Sequence, residues 1–474
     1  MSRRFLVPLL FAVVVALVPL AGCAPASPSV AEEDLTTAPL AACASPLMKS
    51  IYARAAIHAK KGNVPPKFFA SARNTASTKP LLRGPEIFPS IASLIEGASK
   101  EVDMQFYVFR ADNDPARDIL GALKRLERRR KTANAREPVT VRLLFSALSV
   151  LGMKTKPVRE IMAQVEQLEL DPRYVRFELA LYVHGGMGNL HSKTVVVDGR
   201  AAIITGANVQ EQHNDEAPWH DTGYILSGEV AEGLLAEFDD AWRQAAKWTC
   251  DSKGSDLATC SSATQLPTRL PSSNGLPNTC VPMLITGRPG DGWPFANGND
   301  NTQDQAFLAG IESARERIRI HTPNLNDDSL KEALVLALDR NRSLRIDIVL
   351  SKGFNDSAEN LPTLGGTNEQ TVEWLYGAIA ERLPGEGPCA RLRVHWYSDD
   401  GTNALVGNGA KASHAKYFSI DGQVAIVGSA NMDNLAWNHS REVNVVVDSR
   451  SVTESWDEKV FASSFDRGID ACTR

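Results

Sequence analysis

The chain has 474 residues, of which 43% are hydrophobic and 23% charged, and its formal net charge at pH 7 is −5. This composition is typical of a globular protein with room for two domains, or for one domain built from two similar halves. The acidic balance excludes a general basic surface that holds nucleic acid by counterion release, although a local basic cleft stays open.

The N-terminus has the pattern of an export signal. Two arginines precede an apolar run from Phe5 to Leu20, and small residues then lead to Cys23. A charged start, a short apolar core and small residues before the cut describe a signal peptide. The letters LAGC resemble a bacterial lipobox. We therefore predict that residues 1–22 are removed and that Cys23 is lipidated, giving an exported lipoprotein anchored to a membrane of the bacterial cell envelope. An uncleaved membrane anchor is the alternative.

Six further cysteines suit an oxidising compartment. An even number in an exported chain predicts up to three disulfides, with the pairing left open and buried free thiols as the alternative. These residues are Cys43, Cys250, Cys260, Cys280, Cys389 and Cys472. The spacing of cysteines and histidines matches no zinc site, so we predict no metal and no cofactor.

From residue 84 onward, the same order of elements occurs twice. Residues 23–83 hold clusters of Ser, Pro, Ala and Thr, which predict a tether and a short N-terminal segment. In residues 84–249 and again in 302–474, polar helical stretches precede strand-like ones such as VTVRLLFS and LRIDIVLS. Such alternation predicts βαβ units. The expected fold is α/β, with two similar halves, each a mostly parallel mixed sheet flanked by helices.

Residues 250–301 separate the two halves. They are rich in Ser, Gly, Pro, Thr and Asn and hold three of the cysteines. So long an irregular segment usually marks a domain boundary or a functional loop. We predict a Cys-containing connecting loop, with the two halves related by a pseudo-twofold axis.

A histidine and a lysine recur in the second part of each half. The stretches HSKTVVVDGRAAIITGAN and HAKYFSIDGQVAIVGSAN both read His, any residue, Lys, four residues, Asp, Gly, and both end in an asparagine after the next apolar run. Residues i and i+2 of an extended segment share a face, so each histidine stands beside its lysine. The members of the two copies are His191, Lys193, Asp198 and Asn208, and His414, Lys416, Asp421 and Asn431.

A pseudo-twofold would bring two imidazoles, two ammonium groups and two amides around one pocket. This set suits a phosphodiester. Lys193, Lys416, Asn208 and Asn431 are predicted to bind the phosphate oxygens without a metal. One neutral imidazole can attack phosphorus, while the other, protonated, supplies the proton for the leaving alkoxide.

Two histidines of similar ordinary pKa must hold different protonation states, so each needs an acidic partner. Asp221 and Glu442 each follow a motif copy and precede a further apolar strand, and we predict that they orient the two histidines. Ser429, in the small-residue turn of the second copy, is predicted to contact phosphate. Ala207 is taken to occupy the matching position in the first copy.

The duplicated pattern resembles the signature of the phospholipase D superfamily, from about Ile87 to Asp466. The resemblance implies two α/β lobes, one active site between them, no metal and a phosphohistidine intermediate. It implies that His191 is the nucleophile and His414 the acid, and that the motif aspartates are structural. The stretches PWHDTGYILSG and VPMLITGRPGDGWPF are similar to the bacterial phosphatidylserine/cardiolipin synthase-like group.

The leading expectation is a phosphodiesterase or phosphatidyltransferase that hydrolyses or exchanges phospholipid head groups. The chain is expected to be a monomer with an internal pseudo-dimer, held at its lipid substrate by the N-terminal anchor. A secreted nuclease with the same phosphate chemistry is the alternative. A non-catalytic envelope protein that binds lipid is a third. Trp219, Trp293 and Trp396 are candidates for an acyl or head-group groove, although core packing is the commoner role.

Overall fold

The computed structural model describes residues 36–146, 156–182, 187–213, 216–248, 276–293, 295–296, 298–361 and 364–472. The predicted signal peptide and Cys23 lie outside these ranges, as do Cys250 and Cys260. Among the helices within them, none has the length and apolar character needed to span a membrane.

The described part of the N-terminal segment is folded onto both halves. Ser45 caps the first helix by accepting a hydrogen bond from the amide of Met48 at 3.1 Å. Short 3-10 turns follow at 56–61 and 66–68. The elements are α1 (Pro46–Ala55), β1 (Ala70–Ser71), β2 (Asn74–Ala76) and β3 (Leu81–Arg83). Strand β1 joins the second sheet, whereas β2 and β3 join the first.

The first half alternates helices and strands as the sequence predicts. Its elements are α2 (Gly84–Glu96), β4 (Glu101–Phe106), α3 (Asp114–Thr132), β5 (Val139–Ser146), α4 (Lys156–Gln167), β6 (Val175–Tyr182), β7 (Thr194–Val197), β8 (Ala201–Thr205), β9 (His220–Gly228), α5 (Glu229–Gln244) and β10 (Ala246–Trp248). The sheet order is β10-β6-β5-β4-β7-β8-β9-β2, with β3 also on β9.

The second half repeats this plan. Its elements are β11 (Met283–Arg288), α6 (Thr302–Ser313), β12 (Arg317–Thr322), α7 (Asp328–Arg340), β13 (Arg345–Leu350), α8 (Asp356–Glu359), α9 (Asn368–Arg382), β14 (Leu392–Trp396), β15 (Tyr417–Ile420), β16 (Val424–Gly428), α10 (Asn434–Asn438), β17 (Glu442–Asp448), α11 (Arg450–Trp456), α12 (Ser463–Arg467) and β18 (Ile469–Asp470). A π-helical turn at 457–462 joins α11 to α12. The sheet order is β1-β11-β17-β16-β15-β12-β13-β14-β18.

The expectation of mostly parallel sheets needs correction. Strands β4, β5 and β6 pair in parallel, as do β12, β13 and β14, through the predicted helical crossovers. The strands after each motif histidine are antiparallel. The physical reason is the short Asp-Gly turn after β7 and after β15, because only antiparallel strands can be joined so tightly. The sheets are therefore mixed, as expected, but antiparallel pairs are in the majority.

The segment 250–301 is also more ordered at its end than the sequence predicts. Residues 283–288 form β11, a fully buried strand that pairs with β17. A disulfide joins Cys43 to Cys280, just before this strand, and a second joins Cys389 to Cys472. Two pairs among the predicted six cysteines are thereby assigned.

A shared apolar layer holds the two halves together. Val196 and Ile204 of the first half lie in one buried cluster with Val427 and Val445 of the second, and α5 contributes Leu234. The strands that follow the two motif histidines thus face one another across the interface. Burial of this layer removes apolar surface of both halves from water, which stabilises their association.

Candidate active site

Two backbone bridges cross between the halves at the motif histidines. Leu190 bridges to Arg441, and Ser413 bridges to His220. In the first bridge the amide of His191 donates to the carbonyl of Arg441 at 2.8 Å; in the second the amide of His414 donates to the carbonyl of His220 at 2.7 Å. Each bridge aligns the residue before a histidine with the residue before an acid of the other half.

Each histidine therefore meets an acid from the opposite half. Nδ1 of His191 lies 2.7 Å from Oε1 of Glu442, and Nδ1 of His414 lies 2.7 Å from Oδ2 of Asp221. The sequence identifies both acids as partners, but chain order does not show that the pairs cross. With Nδ1 occupied, Nε2 is the ring atom left for a substrate.

The two lysines stand beside their own histidines. Nζ of Lys193 donates to the carbonyl of His191, and Nζ of Lys416 donates to the carbonyl of His414 at 2.9 Å. Burial lowers the pKa of Lys193 to about 7 and that of Lys416 to about 8. An anion between them would restore their charge, because an opposite charge favours the protonated amine.

The same burial acts on the histidines. It lowers the pKa of His191, which Glu442 partly offsets, and it lowers the pKa of His414 well below the ordinary value, with the charges of Lys416 and Lys193 adding to the effect. Both imidazoles are neutral in the empty site near neutral pH. A neutral imidazole is the form that can attack phosphorus.

The two acids have different environments. Burial raises the pKa of Asp221, whose Oδ1 accepts the amide of Thr222 at 2.7 Å. Burial alone would raise the pKa of Glu442 as well, but His191, Lys193 and the hydroxyl of Ser429 outweigh it and hold this pKa below its ordinary value. Glu442 is therefore the acid that carries a negative charge most readily.

Ser429 contacts Glu442, although a phosphate contact was expected. Its hydroxyl donates to Oε2 of Glu442 and the whole residue is buried. The matching position in the first half is Gly206, not Ala207, because Thr205 pairs with Gly223 as Gly428 pairs with Asn444. The first half has a glycine at this position because a larger residue would not fit there.

A side chain cannot be placed at Gly206. A Cβ there would lie 2.2 Å from Oδ1 of Asp221 and 3.1 Å from Cδ of Lys416. Asp221, the shorter acid, thus lies directly against the backbone of Gly206. Glu442 instead accepts a hydrogen bond from the hydroxyl group of Ser429.

A cavity of about 220 Å³ lies at the motif histidines, and its lining does not include the buried Lys193, Lys416 and Asp221. Both histidines, both asparagines and Glu442 line it. The amide of Val108 donates to Oδ1 of Asn208 at 3.2 Å, and Nδ2 of Asn431 donates to Asp433 at 2.8 Å. A larger depression of about 640 Å³ lies near Asp421, at the opposite ends of β12 and β13, and contains no motif histidine or lysine.

Several wall residues of the cavity were not predicted. Tyr107, Phe354, Glu359 and Asp433 line it, together with Trp219, which was a groove candidate. Burial raises the pKa of Glu359 to about 8. Its two carboxyl oxygens accept hydrogen bonds from Nδ2 of Asn324 and Nδ2 of Asn326. The other two tryptophan candidates lie elsewhere: Trp396 is buried in the second-half core and Trp293 is exposed.

The motif aspartates stabilise turns. Asp198 and Asp421 have left-handed φ angles of 54° and 52°. The carboxylate of Asp198 accepts backbone amides from residues 99–101, and that of Asp421 accepts those of residues 315–317. Both aspartates thus have the structural role that the sequence predicts, each tying its turn to the start of a neighbouring strand.

In the parts of the chain that the structure describes, one group has ligand atoms close enough together to hold a metal ion: His213, Asp221 and His414. Nζ of Lys416 lies 3.1 Å from Nδ1 of His414, and its charge would oppose a cation at this position. The nearby lysine thus argues against a metal-dependent reaction at this group.

The chain resembles known proteins in sequence. Residues 307–463 match the family model described as "Cardiolipin synthase, PLD-like domain". A cardiolipin synthase of Clostridium perfringens (strain SM101 / Type A) is 23% identical over 397 residues, which cover 82% of this chain and 69% of the relative. Cardiolipin synthase 1 of Bacillus cereus is 23% identical over 403 residues, which cover 80% and 65%.

A solved structure is similar in fold. The crystal structure of phosphatidylserine synthase from Haemophilus influenzae Rd KW20 superposes on this chain with a TM-score of 0.54 and a sequence identity of 14%. The match covers 88% of this chain and 91% of the synthase chain. This likeness confirms the predicted α/β architecture of two lobes. The match to the phospholipase D-like family model lies in the second half of the chain.

Proposed function

We propose that this chain is a phospholipase D-type enzyme that hydrolyses phospholipid head groups or transfers the phosphatidyl group to another alcohol through a phosphohistidine intermediate. The observation that carries the proposal is the pair of crossed histidine–acid contacts around one cavity. The names of the relatives, which are cardiolipin synthases, support phosphatidyl transfer.

In the first step, Nε2 of His191 attacks phosphorus and the bond from phosphorus to the head-group oxygen breaks. Glu442, the more readily ionised acid, stabilises the positive charge that grows on the imidazole. His414 gives its Nε2 proton to the departing oxygen. Lys193 and Lys416 neutralise charge on the non-bridging oxygens, a role in which preorganised cations are most effective.

Substrate binding can make His414 take up from solvent the proton that the first step requires. The two lysine charges depress the pKa of His414. A phosphodiester anion between the lysines offsets these charges, so the pKa of His414 rises when substrate binds. The acid is thereby charged only in the complex.

In the second step, neutral His414 takes the proton of a water molecule or an acceptor alcohol. The acceptor oxygen attacks phosphorus, the bond from phosphorus to Nε2 of His191 breaks, and the free imidazole is restored. Water gives hydrolysis, whereas a hydroxyl group of a second lipid gives transfer. Both outcomes use the same residues.

The substrate is proposed to be a phospholipid, and the chain to act as a monomer with an internal pseudo-dimer. Its proposed location is the bacterial cell envelope, with export directed by residues 1–22 and anchoring through lipidated Cys23. A tether of this kind raises the effective concentration of enzyme at its substrate.

The test is to incubate the purified chain with mixed phospholipids and, separately, with DNA, with and without chelator. Head-group release or exchange that resists the chelator supports the proposal. DNA cleavage with unchanged lipid would replace it by a nuclease. His191→Ala should lower turnover at least about 10²-fold. His58→Ala, which changes a half-buried histidine on the N-terminal segment, is the matched control and should leave turnover unchanged.

A further inference from the structure

Four of the large apolar side chains that are exposed belong to segments next to the wall of the active-site cavity. Among the described residues, the exposed large apolar side chains are Ile57, Trp293, Phe295, Leu336, Leu361, Trp374 and Val406. The segments that carry Ile57, Leu336 and Trp374 contribute nothing to the cavity wall. The other four side chains belong to segments that contribute residues to the cavity wall, or to segments whose backbone is hydrogen-bonded to such a segment.

Trp293 and Phe295 form one pair of these side chains. Their side chains are 63% and 65% exposed, and their rings pack edge to face with centroids 5.7 Å apart. The loop is fixed to the site, since the amide of Asp291 donates to the carbonyl of His439 at 2.7 Å. The next residue, Ser440, lines the cavity.

The other two side chains, Leu361 and Val406, come from the second half. Val406 is 66% exposed and bridges to Lys352, two residues before Phe354 on the cavity wall. Leu361 is 56% exposed and follows Glu359, which also lines the cavity, by two residues. Both apolar side chains thus belong to segments next to the cavity wall.

Exposed apolar side chains collected in one place mark an interaction site, whereas scattered ones do not. Tryptophan prefers the boundary between lipid head groups and acyl chains, because its ring is apolar and its N–H is polar. The proposed substrate has its phosphate at this depth. A protein surface that meets lipid here would bring the cavity mouth to the phosphate.

We propose that the apolar rim, defined as Trp293, Phe295, Leu361 and Val406, docks on a phospholipid surface and seats the cavity mouth against it. The identity of the occupant rests on the proposed function. This contact is separate from the N-terminal anchor: the anchor holds the chain near a membrane, whereas the rim sets the orientation of the active site on it.

The direct test uses vesicles of phosphatidylglycerol and phosphatidylethanolamine with bromine-labelled acyl chains, which quench tryptophan fluorescence on contact. The full chain is expected to be quenched. Trp293→Phe should remove most of the quenching, and Trp374→Phe, which changes another partly exposed tryptophan away from the cavity, should keep it. Equal quenching in all three proteins, or none in the unsubstituted chain, would overturn the docking proposal.

A turnover test separates docking from catalysis. The double substitution Trp293→Ser and Phe295→Ser is expected to lower activity on vesicles at least about tenfold, since each buried aromatic ring contributes well over a factor of ten in partitioning. Activity on monomeric short-chain phospholipid should change less than about twofold. Ile57→Ser, at a side chain 77% exposed on the N-terminal segment, is the control and should change neither.

Different results would overturn the docking proposal and the proposed function. Equal losses on vesicles and monomers, or no loss on either, would overturn the docking surface while leaving the enzyme intact. Absence of turnover on every phospholipid would overturn the proposed function. The quenching measurement still decides docking in that case, because it needs no catalysis.

Discussion

Nδ1 of His191 lies 2.7 Å from Oε1 of Glu442, although 251 positions separate the two residues. The partner contact, between His414 and Asp221, spans 193 positions in the same crossed manner. Each half thus supplies the acid that orients the histidine of the other. The catalytic unit that we propose exists only when both halves are folded against each other.

Replacing the acids should test the crossed contacts. Glu442→Gln keeps the shape but removes the charge that stabilises a positive His191, so we expect turnover to fall at least about tenfold. The pKa of His191 should also fall, because a carboxylate raises it. The pH dependence of kcat/KM reports this fall as an acidic limb moved to lower pH.

The matched control for the acid is Glu454→Gln, on the exposed face of α11. It should leave turnover and the pH profile unchanged. An unchanged profile in Glu442→Gln as well would show that the crossed contact has no catalytic role.

The lysines predict a loss of activity in alkali. Their pKa values of about 7 and about 8 lie below the ordinary value of 10.5, so both lose their charge as the pH rises from 7 to 9. Phosphate binding weakens with that charge, and kcat/KM should fall at least about tenfold over this interval. Lys416→Arg, whose guanidinium stays charged, should make the fall less steep. A profile that is flat to pH 10 would contradict the assignment.

Gly206 predicts a steric effect on His414. In Gly206→Ala the new Cβ meets Oδ1 of Asp221, so the carboxylate must move away from the imidazole that it orients. We expect turnover to fall at least about tenfold. Gly377→Ala is the control, since a Cβ at that position on α9 meets nothing within 4 Å. Comparable activity in the two variants would mean that the position of Asp221 is not critical.

The disulfide between Cys43 and Cys280 predicts a stability effect. It ties the N-terminal segment to the residues before β11 across a sequence separation of 237. Removing a disulfide typically costs about 2 to 5 kcal/mol of the free energy of unfolding. Thermal unfolding should therefore show a lower Tm for Cys43→Ser than for the unsubstituted chain under oxidising conditions. Under reducing conditions the Tm values of the two proteins should coincide, apart from the effect of the serine itself. If the two proteins had the same Tm under oxidising conditions as well, the disulfide would be excluded.

The sequence predicts which residues converge better than it predicts how they are paired. The motif spacing places His191 beside Lys193 because an extended segment repeats every two residues. No local pattern shows that Glu442 contacts His191, because that contact depends on the packing of two halves that the chain connects only through a long segment. The same limit hides the role of Ser429, which is visible only from its hydrogen bond to Glu442.

Other features escaped prediction for local reasons. Phe354 and Glu359 lie in and beside a short irregular stretch after β13, where no periodicity indicates which side chains face a cavity. Strand β11 was hidden because it is short and lies in a segment dominated by turn-forming residues. The antiparallel majority within the mixed sheets follows in part from the tight turns at Asp198 and Asp421, which join β7 to β8 and β15 to β16.

The most direct test of the central claim is to trap the intermediate. The chain is mixed with phospholipid labelled in its phosphate and in one acyl chain, quenched in alkali, where phosphohistidine survives, and digested for mass spectrometry. We expect the phosphate label on a peptide that contains His191, in the unsubstituted chain and more strongly in His414→Ala, where the base that activates the acceptor oxygen in the second step is missing. Label on His414, or turnover in His191→Ala equal to that of the unsubstituted chain, would contradict the account.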